Sequence, residues 1–289
     1  MLIQTSNFMK NRKIIKLMFA ILGTFFIISA TNQKNKLYVI PIEQSAYKIV
    51  IFDIGDVLLT TSSSAKRSMI LSALISNPTL LYYLVNFSVK EEYFKVLHSV
   101  PAQSNAAMYN KGEQMPAIMV DWQLSITSCK EIKSTVIHHI QQTDHPAPIQ
   151  NLFIAIAEFM FTPETLAASQ NSITSMVRLA QELKKAGYQI FALSNWDKES
   201  FEIARKNHQE IFDLFDGILV SGQEHIGKPA AEFYQRLLKN HNLTISDCIF
   251  IDDEPFNIKA AQELGIKSIL CDKPATVMQE LIEIGVLTR

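Results

Sequence analysis

The sequence predicts an α/β protein, a doubly wound parallel sheet with a helical domain inserted after its first strand. Three observations carry that prediction. The apolar run Lys48-Ile49-Val50-Ile51-Phe52 ends directly on Asp53, with Gly55 two residues later. From about residue 173 onward, short apolar runs alternate with helical stretches, the pattern of βα units that assemble a parallel sheet. Between about 62 and 172 the alternation stops, and helical stretches broken by prolines replace it.

In chain order, the first 30 residues differ in kind from the rest. Lys10, Arg12, Lys13 and Lys16 are their only charges, and 14 uncharged residues, 17–30, follow and end on Ser29-Ala30. A basic start, an apolar middle and a small-residue end fit a secretory signal peptide, which predicts export to the periplasm or beyond. The rival reading is an uncleaved anchor. Counted from Ile14 the stretch reaches 17 residues, at the short edge of a bilayer span, and membrane contact would then run through this segment alone. Residues 31–46 read as a polar linker containing Pro41.

The first strand begins at about Tyr47. The inserted region, 62–172, holds helical stretches at 64–75, 80–87, 91–98, 129–141 and 150–161, punctuated by Pro78, Pro101, Pro116, Pro146, Pro148 and Pro163. It is expected to cap the carboxyl end of the first strand. After it come a helix over 175–186 that stops at Gly187, a strand at 188–193, a helix over 198–207 and a strand at 217–221. A helix over 230–241, a strand at 248–251, a helix over 255–264 ending at Gly265 and a strand at 267–271 complete the series. The core is thus 47–61 together with 173–289.

Composition narrows the function classes. With 289 residues, 48% hydrophobic and 19% charged, the chain can bury a full core. A net charge of −1 without a basic stripe or an aromatic platform argues against nucleic acid as a partner. The three cysteines, Cys129, Cys248 and Cys271, are an odd set with no disulfide framework. Cys248 and Cys271 fall on predicted buried strands, where cysteine fills space as a small apolar residue.

In an open α/β sheet, ligands bind outside the carboxyl ends of the strands, and four such ends here deliver polar groups. Asp53 has the chemistry to attack phosphorus as a carboxylate nucleophile; alternatively Asp and Gly simply make the turn that ends a strand. Gly55 permits a tight turn whose carbonyl could face a cation. Ser194-Asn195 offer a hydroxyl and an amide suited to phosphate oxygens, or to plain helix capping. Lys228, between Gly227 and Pro229, is either a point cation for a phosphoryl group or a solvated loop lysine. Asp252-Asp253 repel one another unless a cation offsets them. A hard divalent ion, most simply Mg²⁺, would do so, as would the start of the helix at Pro255. Trp122 and Trp196 are candidates for the entrance or for the core.

Taken together, these segments resemble the haloacid dehalogenase-like (HAD) hydrolase superfamily. Phe52-Asp53-Ile54-Gly55-Asp56-Val57 matches its first motif and Leu193-Ser194-Asn195 its second. Ser221-Gly222 with Gly227-Lys228-Pro229 matches the third. Phe250-Ile251-Asp252-Asp253 with Asn257 matches the fourth. The resemblance covers about residues 47 to 272, with the cap matching by position and helical character only. It implies a Rossmannoid fold and a Mg²⁺-dependent phosphatase acting on a small phosphorylated metabolite. Asp53 would be the nucleophile, forming an aspartyl-phosphate. Asp53, the Gly55 carbonyl and the Asp252-Asp253 pair would form the metal set, with Asp253 the direct ligand of that pair. Ser194, Asn195 and Lys228 would bind the transferring group, and the cap would open and close over the site.

Two departures stand out. Gly55 occupies the place of the second aspartate that usually serves as general acid and base, and Ala230 follows Lys228-Pro229 where an acid is common. Two other functions therefore stay in view. One is a scaffold that binds without efficient turnover. The other is metal-free carbon–halogen hydrolysis by Asp53, in which the Asp252-Asp253 pair would be idle charge.

Overall fold

The computed structural model describes residues 37–289, so the expected leader over 1–30 and the first part of the linker lie outside the described residues. Among the described residues no helix is long and apolar enough to cross a membrane.

Five strands form the central sheet: β1 (Ile49–Phe52), β2 (Gln189–Ser194), β3 (Gly217–Val220), β4 (Cys248–Asp252) and β5 (Lys267–Leu270). All neighbours are parallel, in the order β5-β4-β1-β2-β3. Every residue of β1 is buried, as a strand covered on both faces requires. Successive side chains point to opposite faces. Val50 and Phe52 therefore pack with Leu179 and Leu183 of one helix and Val277 and Leu281 of another. Ile49 and Ile51 pack on the other side with Phe233, Leu237 and Ile258. Each such side chain contributes about 1.5–3 kcal/mol through burial.

The order of the strands positions the site. The chain enters at the middle of the sheet, builds β2 and β3 toward one edge, then crosses back to build β4 and β5 on the other. The reversal leaves a crevice beside the carboxyl end of β1, where ligands bind in such sheets. Asp53, Ser194 and Asp252 stand at that end because β1 pairs with both β2 and β4, opposing Phe52 to Ala192 and to Ile251.

Residues 37–46, expected only as linker, join the core. Tyr38–Val39 pairs antiparallel with Leu287–Thr288, and Ile42 packs against the sheet's helices. The insertion builds its own core, with Leu97, Ile132, Val136, Ile140, Leu152 and Phe153 at its centre. Its helix Cys129–Gln141 starts on a capping box in which Ser128 and Glu131 satisfy each other's backbone N–H groups. A ladder of Leu59–Thr61 against Gln170–Ser172 ties the insertion to the sheet.

The helix Pro163–Ala168 and the strand Gln170–Ser172 were not anticipated, nor were two pieces that border the site. The helix Ala117–Gln123 buries Ile118, Met119, Val120, Asp121 and Trp122. A hairpin pairs Tyr109–Asn110 with Glu113–Gln114, and its turn residues Lys111 and Gly112 both take positive φ, +52° and +78°, the geometry that two-residue hairpin turns favour. With two residues on each side, it is too short to show alternation.

Candidate active site

The polar groups at the strand ends converge. Asp53, directly after β1, accepts a hydrogen bond at Oδ1 from the Ser194 hydroxyl at 2.7 Å, and Lys228 Nζ lies 2.8 Å from the same oxygen. Lys228 Nζ also lies 2.6 Å from Asp252 Oδ2. A lysine 1% exposed persists inside a fold only when paired. Burial alone would lower its pKa, but the charges of Asp252 and Asp53 more than offset this and hold it above the ordinary lysine value.

Asp252 is fully buried and fully engaged. Its Oδ1 accepts from the Glu254 N–H at 2.8 Å, and Asn257 Nδ2 donates to both oxygens at 3.1 and 3.2 Å. This carboxylate holds Lys228 in place. Asp253, its neighbour, is partly exposed and lines the open cavity. The resemblance singled out Asp253 as the direct ligand of the pair, and the structure gives the two acids different surroundings.

Asn195, expected to present an amide to phosphate, uses both amide atoms on a loop. Its Nδ2 donates to the Lys228 carbonyl and its Oδ1 accepts from the Lys228 N–H, each at 2.8 Å. The side chain still borders the cavity, but its hydrogen bonds position the lysine.

The tight turn after Asp53 falls one residue later than expected. Asp56, rather than Gly55, adopts the left-handed conformation, with φ +51°. The Asp56 carboxylate accepts from Thr60 Oγ1 at 2.6 Å and pairs with Lys111 at 3.3 Å. Gly55 lines the cavity, and a Cβ added to it would meet nothing within 4 Å.

One carboxylate oxygen each from Asp53, Asp252 and Asp253 lie within 4.8 Å of one another. Burial raises the pKa of Asp53, against the pull of Lys228, and burial together with the charges of Asp53 and Asp252 raises that of Asp253. Negative charge concentrated in a poorly solvated pole favours a bound cation. An all-oxygen donor set of carboxylates suits a hard divalent ion.

Above this pole lies a cavity of about 220 Å³. Trp122 and Trp196 both line it. The insertion closes it along two edges. On one, Ser221 Oγ accepts from the Trp196 N–H at 2.9 Å and donates to the Gln123 carbonyl at 2.7 Å. Nearby, the Lys198 N–H donates to Ser125 Oγ at 2.9 Å, and the Cys129 N–H donates to Glu199 at 2.7 Å. Asp197, which caps the helix Lys198–Asn207, also accepts from the Cys129 thiol at 3.1 Å. His225 Nδ1 lies 2.9 Å from the Leu124 carbonyl, which places that histidine at the edge rather than among the reacting groups.

On the other edge the 109–114 hairpin meets the core. Tyr109 stacks on Phe256 at 3.9 Å, and the Gly112 N–H donates to the Glu254 carboxylate at 3.0 Å. Glu254 and Asp197 were not singled out in the sequence. The available signal was an acid immediately before a helical stretch, which marks a helix start and carries no hint of a second partner.

Comparison with known proteins gives the family and the fold. The family model for haloacid dehalogenase-like hydrolases matches residues 47–265. A sesquiterpene phosphatase of Aspergillus oryzae is 38% identical over 105 residues, covering 36% of this chain and 53% of that protein. A drimenol cyclase of Aspergillus calidoustus is 29% identical over 126 residues, covering 44% of this chain and 24% of that one. The chain thus spans about half of the first relative's length and a quarter of the second's. Among solved structures, a HAD family enzyme of Bacteroides thetaiotaomicron superposes with a TM-score of 0.52 at 16% identity, over 78% of this chain and 93% of that one. A mutant of that enzyme, in complex with magnesium and inorganic phosphate, gives 0.51 at 17% identity, over 77% and 92%. At such identities the likeness is one of fold.

Proposed function

The chain belongs to the haloacid dehalogenase-like hydrolases, and from that premise we propose that it hydrolyses phosphomonoesters with Mg²⁺, by way of an aspartyl-phosphate on Asp53. The observation that carries this reading is the pole where Asp53 is held by Ser194 and Lys228 at 2.7 and 2.8 Å while Asp253 borders the same cavity.

In this reading an Asp53 carboxylate oxygen attacks phosphorus, the ester P–O bond breaks, and the leaving oxygen takes a proton from solvent and departs as the alcohol. Water then attacks the same phosphorus, releasing inorganic phosphate and restoring the carboxylate. Ser194 and Lys228 bind the phosphoryl oxygens, and Asp252 acts through Lys228 by fixing its ammonium. Asn195 fixes the backbone of the same lysine. Asp53, Asp253 and the Gly55 carbonyl would hold the cation, which supplies positive charge against the phosphoryl oxygens and the buried carboxylates. Stabilising charge that is already in place at the start of the reaction is commonly the largest part of catalysis. The sesquiterpene phosphatase match and the magnesium-phosphate complex of the structural neighbour support the same reading.

Hydrolysis of 4-nitrophenyl phosphate, measured with Mg²⁺ and with EDTA, tests it. Turnover is expected to need the metal and to fall to background in Asp53→Asn. Full activity in that variant would refute the assignment. Gly55 favours a second reading, a scaffold without efficient turnover. Gly55→Asp has open space for its side chain, and restoring a general acid should raise kcat by about tenfold or more. Silence of both the parent and this variant across phosphate esters would favour the scaffold. Export through the N-terminal segment belongs to the same proposal, and a mature protein starting after Ala30 is the expected product.

A further inference from the structure

We infer that the site selects an uncharged leaving group, so that its substrates carry one phosphate and no second anion; this rests on the phosphomonoesterase reading above. Away from the phosphoryl pole, the cavity is walled by Leu59, Tyr109, Met115, Trp122, Leu166 and Trp196. The polar groups between them are neutral hydroxyls and amides such as Thr61, Gln123 and Gln170.

Charge in the wall is one-sided. Asp56 and Glu254 join Asp53 and Asp253 in lining the cavity, whereas among the described residues Lys228 is the only lysine, arginine or histidine that does so. Lys228 is already paired with Asp53 and Asp252. Lys111, on the exposed hairpin turn, pairs with Asp56 at 3.3 Å and does not line the cavity. A divalent ion at the pole would balance the carboxylates of the reacting centre but not those beyond it. A second phosphate or a carboxylate on the substrate would face Asp56 and Glu254 with no free cation, and like-charge placement of this kind is how sites reject ligands.

The test compares kcat/KM, with Mg²⁺, for benzyl phosphate, glucose 6-phosphate, fructose 1,6-bisphosphate and 3-phosphoglycerate. Benzyl phosphate and glucose 6-phosphate are expected to be the better pair, with the two substrates that carry a second anionic group lower by about tenfold or more. Leu166→Lys and Thr61→Lys, made separately because either could disturb folding, add a cation to the wall. Each folded variant is expected to narrow that gap by improving the substrates with a second anion. Turnover of either ester with a second anionic group as fast as that of benzyl phosphate and glucose 6-phosphate would overturn the inference. A gap unchanged in both lysine variants would overturn its electrostatic basis. Absence of hydrolysis for all four esters and for 4-nitrophenyl phosphate would instead strike the phosphomonoesterase reading itself.

Discussion

Where residues 121–129 of the insertion meet the loops after β2 and β3, the joint is made of backbone groups and buried hydroxyls and carboxylates. Where the 109–114 hairpin meets residues 254–256, it is made of a ring stack, one amide-to-carboxylate bond and an ion pair. In the first, Ser221 is fully buried and Asp197 is 1% exposed. Both bond to groups of the insertion, Ser221 to the Gln123 carbonyl and Asp197 to the Cys129 thiol, and breaking the joint would leave such buried polar atoms unpaired at about 1–3 kcal/mol each. In the second, the Lys111 and Asp56 side chains are 69% and 45% exposed, and exposed pairs are worth little. The two edges lead to the expectation that this cap works as a door with one fixed side. Sequence comparison suggested a cap that opens and closes as a unit; the structure gives it a stiff edge and a weak one, and the weak one is expected to admit substrate.

The largest blow to the stiff edge is Gly222→Val. A side chain there would run into the backbone N–H of Lys198 and into Ser125 Oγ at 2.7 Å. Overpacking against backbone should cost about 3 kcal/mol, read from urea unfolding. A cost below about 1 kcal/mol would mean that the edge yields and the comparison fails. Ser221→Ala comes next. It leaves the buried Trp196 N–H and Gln123 carbonyl without their shared hydroxyl, an expected loss of about 2 kcal/mol in the same assay. The smallest stability effect belongs to the weak edge. Tyr109→Ala removes a stack on a partly exposed ring and should cost about 1 kcal/mol or less. Its signature should be kinetic instead, with KM for the ester rising more than kcat changes. A change in kcat alone would assign Tyr109 to the chemistry rather than to the door.

Much of the core was legible beforehand because it rests on local pattern. The run that became β1 is apolar throughout and stops at Asp53, and both features follow from a strand buried on two faces with its end at a binding crevice. Gly187 and Gly265 mark helix ends with φ of +95° and +86°, where a residue without Cβ is favoured. The hairpin, the helix Ala117–Gln123 and the double role of Glu254 were not legible. The hairpin is too short for a period to show. The helix follows Pro116 with one crowded apolar cluster and no clear polar face. Glu254 looks in sequence like any acid at a helix start, and its second partner, Gly112, is 142 residues away.

The difference between Asp252 and Asp253 marks the same boundary. Adjacent residues at a strand end point to opposite sides, so only the folded surroundings decide which carboxylate is consumed by Lys228 and Asn257 and which faces the cavity.

The sequence by itself determined the βα alternation, the place of the insertion and the identity of the polar groups at the strand ends, because periodicity and strand-ending residues are properties of a few neighbours in the chain. Only the tertiary structure decided that Asn195 serves Lys228, that the turn after the nucleophile falls on Asp56, and that the cap is fixed along one edge. Those outcomes depend on strand order and on contacts between segments far apart in sequence, where each hydrogen bond is chosen by which partners the finished fold leaves within reach.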